Sequence, residues 1–199
     1  MSASGGVHRH HNQRFQKDVA VLHPGEYFST NEDIIISTVL GSCIAVALYD
    51  PVVNLGGLNH FMLPGELHNR KFFADESGRY GMFAMELLIN DMLKAGAKKS
   101  RLVAKVFGGG HVLDNTSGRI PESNILFARD FLETEAIPIL SHDVGGTSAR
   151  KILFFAASAR VLVKRFAGRS AASVEREEQE YYSKIKKRKT NDPNEPLFF

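Results

Sequence analysis

An apolar run of strand length, Ile44-Ala45-Val46-Ala47-Leu48-Tyr49, stops at Asp50-Pro51, and a second stretch follows at Gly56-Gly57-Leu58-Asn59-His60. Asp-Pro is a turn signal, so the two stretches read as an antiparallel hairpin. With Pro51 and Val52 as central turn residues, Asp50 faces Val53 and Tyr49 faces Asn54, since proline favours the second turn position. The same register sets Cys43 against His60, with Cβ atoms roughly 5 Å apart. A turn longer by two residues moves the pair to a diagonal but keeps it on one face, because side chains alternate with period two. Cys43 is the only cysteine in the chain. The residues alone leave two readings of it. It is a small buried hydrophobe, or a thiol sharing a proton with an imidazole, as a nucleophilic cysteine requires. Gly41-Ser42 immediately before it lets backbone come close to a ligand.

Around the hairpin the chain alternates strand and helix signals. Val19 to Leu22 reads as a first strand, His23 to Tyr27 as a turn or extended loop, and Ile34-Ile35-Ile36 as the start of a strand leading into Ser37-Thr38-Val39-Leu40. Glu66 to Arg79 has the polar, aperiodic character of a surface loop, either a lid or a plain connection. Met82, Met85, Leu88, Ile89 and Met92 recur at helical spacing, with Gly96 placed to end the helix. Arg101 to Phe107 reads as a strand running into Gly108-Gly109-Gly110-His111. The triple glycine lacks the Lys-Ser/Thr of a phosphate loop, so close backbone packing or contact with substrate backbone is the better reading. A second helix spans about 121–136, a strand 137–140, and a hairpin 151–166 around Ala157-Ser158-Ala159.

Two ends differ in composition. Residues 1–17 are polar and read as a disordered N-terminal arm, in which His8, His10 and His11 form no complete ligand set. Residues 169–199 read as a charged C-terminal extension, a solvated helix with an acidic 175–180 and a basic 184–189. Residues 18–168 form the domain between them. The chain has 199 residues, 43% hydrophobic content and a net charge of +3, which suits one core plus tails. One cysteine excludes an internal disulfide. No apolar run is long enough to span a bilayer, and the polar N-terminus has no signal-peptide core, so membrane insertion is not expected. Without aromatic interleaving, the lysine-rich end does not argue for nucleic acid.

Thr38-Val39-Leu40-Gly41-Ser42-Cys43, the apolar strand, the Asp-Pro turn and Gly56-Gly57-Leu58-Asn59-His60-Phe61-Met62-Leu63-Pro64 resemble the CheD family of chemoreceptor glutamine deamidases. The likeness runs from about 19 to 164 and includes the helix before the Gly-Gly-Gly loop and the Gly145-Gly146-Thr147 turn. It implies an α+β fold, a layered α/β/β sandwich resembling a deamidating toxin, the cytotoxic necrotising factor, and its cysteine hydrolase fold. It also implies a protein-glutamine glutaminase with Cys43 as nucleophile and His60 as base. The third member falls on Ser37, with Thr38 as the alternative, since strand alternation lets only one face His60. Gly41 and Ser42 are then substrate-binding and oxyanion residues, with backbone N–H groups at Ser42 and Cys43 as donors. The substrates implied are methyl-accepting chemoreceptors, a further partner is a CheC-type phosphatase, the location is cytoplasmic, and neither metal nor organic cofactor is called for. A non-catalytic regulator binding such a phosphatase, and a cysteine protease or acyltransferase using the same pair, are the competing readings.

Overall fold

The computed structural model describes residues 7–67, 76–112, 119–166 and 171–191. In chain order the strands are β1 (His8–Asn12), β2 (Lys17–Val21), β3 (Tyr27–Thr30), β4 (Ile35–Leu40), β5 (Ile44–Asp50), β6 (Leu55–Asn59), β7 (Val103–Gly108), β8 (Ile139–Val144), β9 (Ala149–Phe155) and β10 (Arg160–Phe166). The helices are α1 (Glu76–Lys94), α2 (Ile120–Thr134) and α3 (Ala172–Asn191), with a short 3-10 turn at Lys99–Arg101. The strands make two five-stranded sheets, ordered β1-β2-β4-β9-β10 and β3-β6-β5-β7-β8. The architecture is therefore α+β, as expected.

Strand alternation in β5 explains the layering. Ile44, Val46 and Leu48 enter one core with Met85, Leu88 and Met92 of α1 and Phe127 and Phe131 of α2. Cys43, Ala45 and Ala47 enter another with Ile36, Leu40, Ile152 and Phe154 of the opposite sheet. The helices thus cover one face of the β5 sheet and the second sheet covers the other. The alanines are accounted for by this close sheet-on-sheet contact. Gly56 and Gly57 on β6 serve the same purpose on its two faces. A Cβ on Gly56 would lie 2.5 Å from the Ala156 carbonyl oxygen, and one on Gly57 would lie 2.7 Å from Leu88 Cδ1.

The hairpin forms with a turn two residues longer than the shortest register. Asp50 pairs with Leu55, Leu48 with Gly57, and Ile44 with Phe61. Asp50 Oδ1 accepts from Val52 N–H at 3.0 Å, and Asn54 takes a φ of +50°, a conformation asparagine tolerates. Cys43 and His60 are consequently diagonal neighbours on one face, not directly opposed. The expected helices and strands otherwise fall close to their predicted places. Gly96, with φ of +102°, follows the end of α1, and its N–H donates to the Leu93 carbonyl.

Four expectations need correction. The polar N-terminal arm is not disordered up to residue 17: His8–Asn12 pairs antiparallel with β2, giving an edge strand whose histidines are exposed. The backbone gains a partner there although the side chains bury little. Tyr27, the end of the expected 23–27 loop, instead opens a strand, Tyr27–Thr30, that had no assigned place and that pairs with β6. The charged C-terminal helix is not merely solvated, because Ala171, Val174, Glu178 and Ile185 are buried along one side of it. Of the expected loop or lid over Glu66 to Arg79, residues 68–75 lie outside the described residues, and Glu76–Arg79 is not loop but the first turn of α1. Among the described residues no helix is long and apolar enough to cross a membrane.

Because backbone cannot yield as a side-chain tip can, Gly56→Ala is expected to cost about 2 kcal/mol, and Gly57→Ala less. Urea denaturation of the two variants checks the order, and a larger loss at Gly57 would contradict the layer contact described here.

Candidate active site

Cys43 ends a three-residue connection, Gly41-Ser42-Cys43, that carries the chain from β4 in one sheet to β5 in the other. Each carbonyl of this connection is held from outside. The Gly41 carbonyl accepts from Gly110 N–H, and the Cys43 carbonyl from Gly109 N–H, both at 2.7 Å. The Ser42 carbonyl accepts from Asn124 Nδ2 at 2.8 Å, and Asn124 Oδ1 accepts from Leu63 N–H at 2.9 Å. In a trans peptide the carbonyl and the following N–H point opposite ways. Fixing the Gly41 and Ser42 carbonyls outward therefore aims the Ser42 and Cys43 N–H groups inward. Consecutive N–H groups that converge in this way make a site for negative charge.

A carboxylate from α3 fills it. Glu178 Oε1 accepts from Gly41 N–H at 2.8 Å and Cys43 N–H at 3.1 Å. Glu178 Oε2 accepts from the Ser42 N–H and the Ser42 hydroxyl, each at 2.7 Å. Glycine at 41 leaves room for this approach, since a Cβ there would stand 2.7 Å from Glu178 Oε2 and 2.4 Å from Val112 Cγ2.

The triple glycine is the clamp on this loop. Gly108 has a φ of +113°, and a Cβ on it would come within 2.1 Å of the Cys43 carbonyl oxygen. The second glycine turn supports the clamp in its turn. Gly145 N–H donates to the Gly108 carbonyl and His111 N–H to the Gly146 carbonyl. Buried Arg150 ties the two together, donating to the Gly108 carbonyl at 3.3 Å, to the Asp143 carboxylate at 3.0 Å and to the Gly145 carbonyl.

His60 follows β6, its backbone bonded to Gly25 N–H and the Glu26 carbonyl. Its Nδ1 lies 2.7 Å from Thr38 Oγ1, and the Thr38 hydroxyl donates to the Leu22 carbonyl at 2.8 Å. A hydroxyl has one proton to give. With that proton committed to Leu22, Thr38 accepts from Nδ1–H, which fixes the imidazole tautomer and leaves the lone pair on Nε2. That Nε2 is buried with no hydrogen-bond partner. Cys43 Sγ, a His60 ring nitrogen and a Glu178 carboxylate oxygen lie within 4.8 Å of one another.

Ser37, the first choice for the position beside His60, faces the other way. Ile36 and Leu40 lie between the sheets, whereas Ile35 belongs to a separate outer cluster with Val19 and Phe155. Thr38 shares the inner face and Ser37 the outer one. The parity of Ser37 with Cys43 is lost because Gly41-Ser42 is a turn, not extended strand.

Three residues escaped sequence reading. Asn124 sits in a helix and Arg150 in a strand, and neither spacing marks them. Glu178 left a trace: Ala171, Val174, Glu178, Tyr181 and Ile185 recur at helical spacing, with one acid inside an otherwise apolar stripe. Cys43, His60 and Glu178 are donors of the kind that hold zinc. Here, however, the carboxylate oxygens already accept from four N–H and O–H donors, so the pocket is arranged for negative charge.

Burial sets the protonation of the pair. It pushes the Cys43 thiol well above its usual range, the Glu178 and Glu177 carboxylates add to this, and the backbone N–H opposes it. Burial also pulls His60 down to about 3, with His23 acting in the same direction and the Leu22 carbonyl against it. In this arrangement the site holds a neutral thiol and a neutral imidazole.

A thiol beside an unprotonated ring nitrogen, next to inward-pointing backbone N–H groups, has the equipment for cysteine-based chemistry at a carbonyl carbon. The family model described as CheD chemotactic sensory transduction matches residues 62–165. The chain is 44% identical over 179 residues to a probable chemoreceptor glutamine deamidase CheD 1 of Shewanella oneidensis, spanning 89% of this chain and 87% of that protein. It is 42% identical over 177 residues to a probable chemoreceptor glutamine deamidase CheD of Herminiimonas arsenicoxydans, at 88% and 87% coverage. A solved structure, the Bacillus licheniformis hypothetical protein YfiH, superposes on 61% of this chain and 50% of its own, with a TM-score of 0.39 and 14% identity. The chain belongs to the CheD family.

The depressed His60 pKa has a consequence for stability. The unfolded chain protonates this residue below about pH 6.5, whereas the folded chain resists until about 3. Stability is therefore lost as pH falls through that window, by up to about 1.4 kcal/mol per pH unit from this group. Between pH 7 and pH 5 the wild type is expected to lose more stability than His60→Gln in chemical denaturation. Equal losses would show that His60 is not held neutral.

Proposed function

We propose that this protein deamidates glutamine side chains of methyl-accepting chemoreceptors to glutamates, with Cys43 as nucleophile, His60 as base and Thr38 orienting the imidazole. The observation that carries the reading is the carboxylate held by backbone N–H groups within 4.8 Å of the thiol and the imidazole. A group of the product's own chemistry fits the place where the reaction would occur. The names of the curated relatives supply the substrate class.

Nε2 of His60 takes the proton from Cys43 Sγ, and sulfur bonds to the carboxamide carbon. The oxygen becomes an oxyanion at the inward N–H groups of Ser42 and Cys43, where one such donor is typically worth roughly 3 kcal/mol in the transition state. The C–N bond breaks, the imidazolium gives its proton to the departing nitrogen, and ammonia leaves a thioester. Water, deprotonated by His60, attacks that thioester, and a glutamate carboxyl and the free thiol are restored. Glutamine and water are consumed, and glutamate and ammonia appear.

The helix–sheet–sheet layering supports the likeness to the deamidating-toxin cysteine hydrolase fold. A cytoplasmic location and a CheC-type phosphatase partner belong to the same reading and rest on the family resemblance.

Ammonia release from a purified chemoreceptor fragment tests the proposal. Cys43→Ala is expected to lower it about a thousandfold or more. Thr38→Val is expected to lower it tenfold or more, because the tautomer is no longer fixed, while Ser37→Ala has little effect. Ammonia release undiminished in Cys43→Ala would refute the mechanism, and a larger loss at Ser37 than at Thr38 would return the orienting role to Ser37.

A further inference from the structure

We propose that α3 is a built-in occupant of the substrate site, presenting Glu178 where a helical substrate presents its glutamine, and that α3 must withdraw before a receptor can be modified. This rests on the deamidase reading above and adds to it how the substrate side chain is presented and what guards the site.

Glutamate and glutamine have the same length and shape, and differ only in whether nitrogen or oxygen completes the terminal group. Glu178 is 1% exposed, and it is held by the three N–H groups and one hydroxyl of Gly41-Ser42-Cys43, with the Cys43 thiol as a further partner. A carboxylate needed only to anchor a helix would find cheaper partners at the surface than a pocket beside a buried thiol. The helix around it is seated as a ligand would be. Val174 packs with Val39 and Val112 on one side of Glu178, and Tyr181 and Tyr182 pack on the inter-sheet core that contains Cys43 on the other. A Cβ on Gly25 would lie 2.8 Å from the Tyr181 hydroxyl oxygen, so the 23–27 loop is shaped to the helix. His23 Nδ1 and Glu177 Oε1, 2.6 Å apart, add a contact at the rim. Over residues 172–187 the other faces of α3 are mostly exposed and rich in charge.

The occupant also quiets the nucleophile. Glu178 covers the N–H groups that an oxyanion would need, and its charge opposes ionisation of Cys43. Residues 167–170 alone separate β10 from the start of the described α3 segment. The helix is therefore tethered at high effective concentration, and an incoming receptor must compete with it.

The direct test turns the occupant into a substrate. In the full-length Glu178→Gln protein the introduced carboxamide should be hydrolysed by the protein itself. Sulfur bonds to its carbon, nitrogen leaves as ammonia with the proton relayed by His60, and water releases the thioester. Intact mass should rise by about one dalton at a rate independent of protein concentration, and peptide mapping should place a glutamate at position 178. The double variant Glu178→Gln with Cys43→Ala should keep its amide. In parallel, Glu178→Ala should raise both Cys43 alkylation by iodoacetamide and receptor deamidation by roughly tenfold or more, with circular dichroism confirming the fold. If the introduced amide persists while the same protein deamidates receptor, the proposal is overturned and the deamidase reading stands. Receptor deamidation and Cys43 alkylation unchanged or lowered in folded Glu178→Ala would likewise overturn it. If neither the introduced amide nor receptor is hydrolysed by any Cys43-containing form, the deamidase reading itself fails.

Discussion

The connection Gly41-Ser42-Cys43 works because its carbonyls are held away from the site. Gly109 and Gly110 hold two of them, and Asn124 holds the third. Peptide planarity converts the bonds from Gly110 and Asn124 into a fixed direction for the Ser42 and Cys43 N–H groups, and the bond from Gly109 holds the end of the connection where it enters β5. A short loop on its own has no reason to keep that arrangement, since each N–H would otherwise turn to water or to a neighbouring carbonyl. Much of the fold supports the three bonds. The β7 end delivers the triple glycine, α2 delivers Asn124, and Arg150 fixes the glycine loop to the turn after β8.

The layered architecture explains why thiol and imidazole come from different structural contexts yet meet. Cys43 stands where the chain crosses from one sheet to the other, and His60 stands at the end of the neighbouring β6. Thr38 reaches the imidazole from the opposite sheet. The site is thus assembled across the contact between the sheets, and the small side chains at Ala45, Ala47 and Gly56 set how closely those sheets approach. Burial follows from the same contact. It favours the protonated thiol and the neutral imidazole in this arrangement.

Much of this was legible in the sequence because it depends on local rules. Alternation in 44–49 and the Asp-Pro turn gave the hairpin, and period two put Cys43 and His60 on one face whichever turn length applied. Other features depend on distant contacts. The side chain of Asp50 accepts from Val52 N–H and stabilises a longer turn, which no propensity rule specifies. Ser37 and Thr38 differ by one residue, and the Gly41-Ser42 turn decides which faces inward. Asn124 and Arg150 act through carbonyls more than 40 residues away in sequence, and nothing in their own neighbourhoods marks them. Glu178 was hidden by its setting, because one buried acid looks like any other in a run of exposed glutamates. Position on an apolar stripe, rather than residue type, was the clue.

In the proposed reaction Cys43 converts receptor glutamines to glutamates in this site. Its most direct test is tandem mass spectrometry of a chemoreceptor cytoplasmic fragment after incubation with the wild type and with Cys43→Ala. Gains of about one dalton are expected at a few defined glutamines with the wild type, with no chain cleavage, and none of these gains with the variant. Gains that persist without the thiol, or receptor cleaved or acylated rather than deamidated, would contradict it.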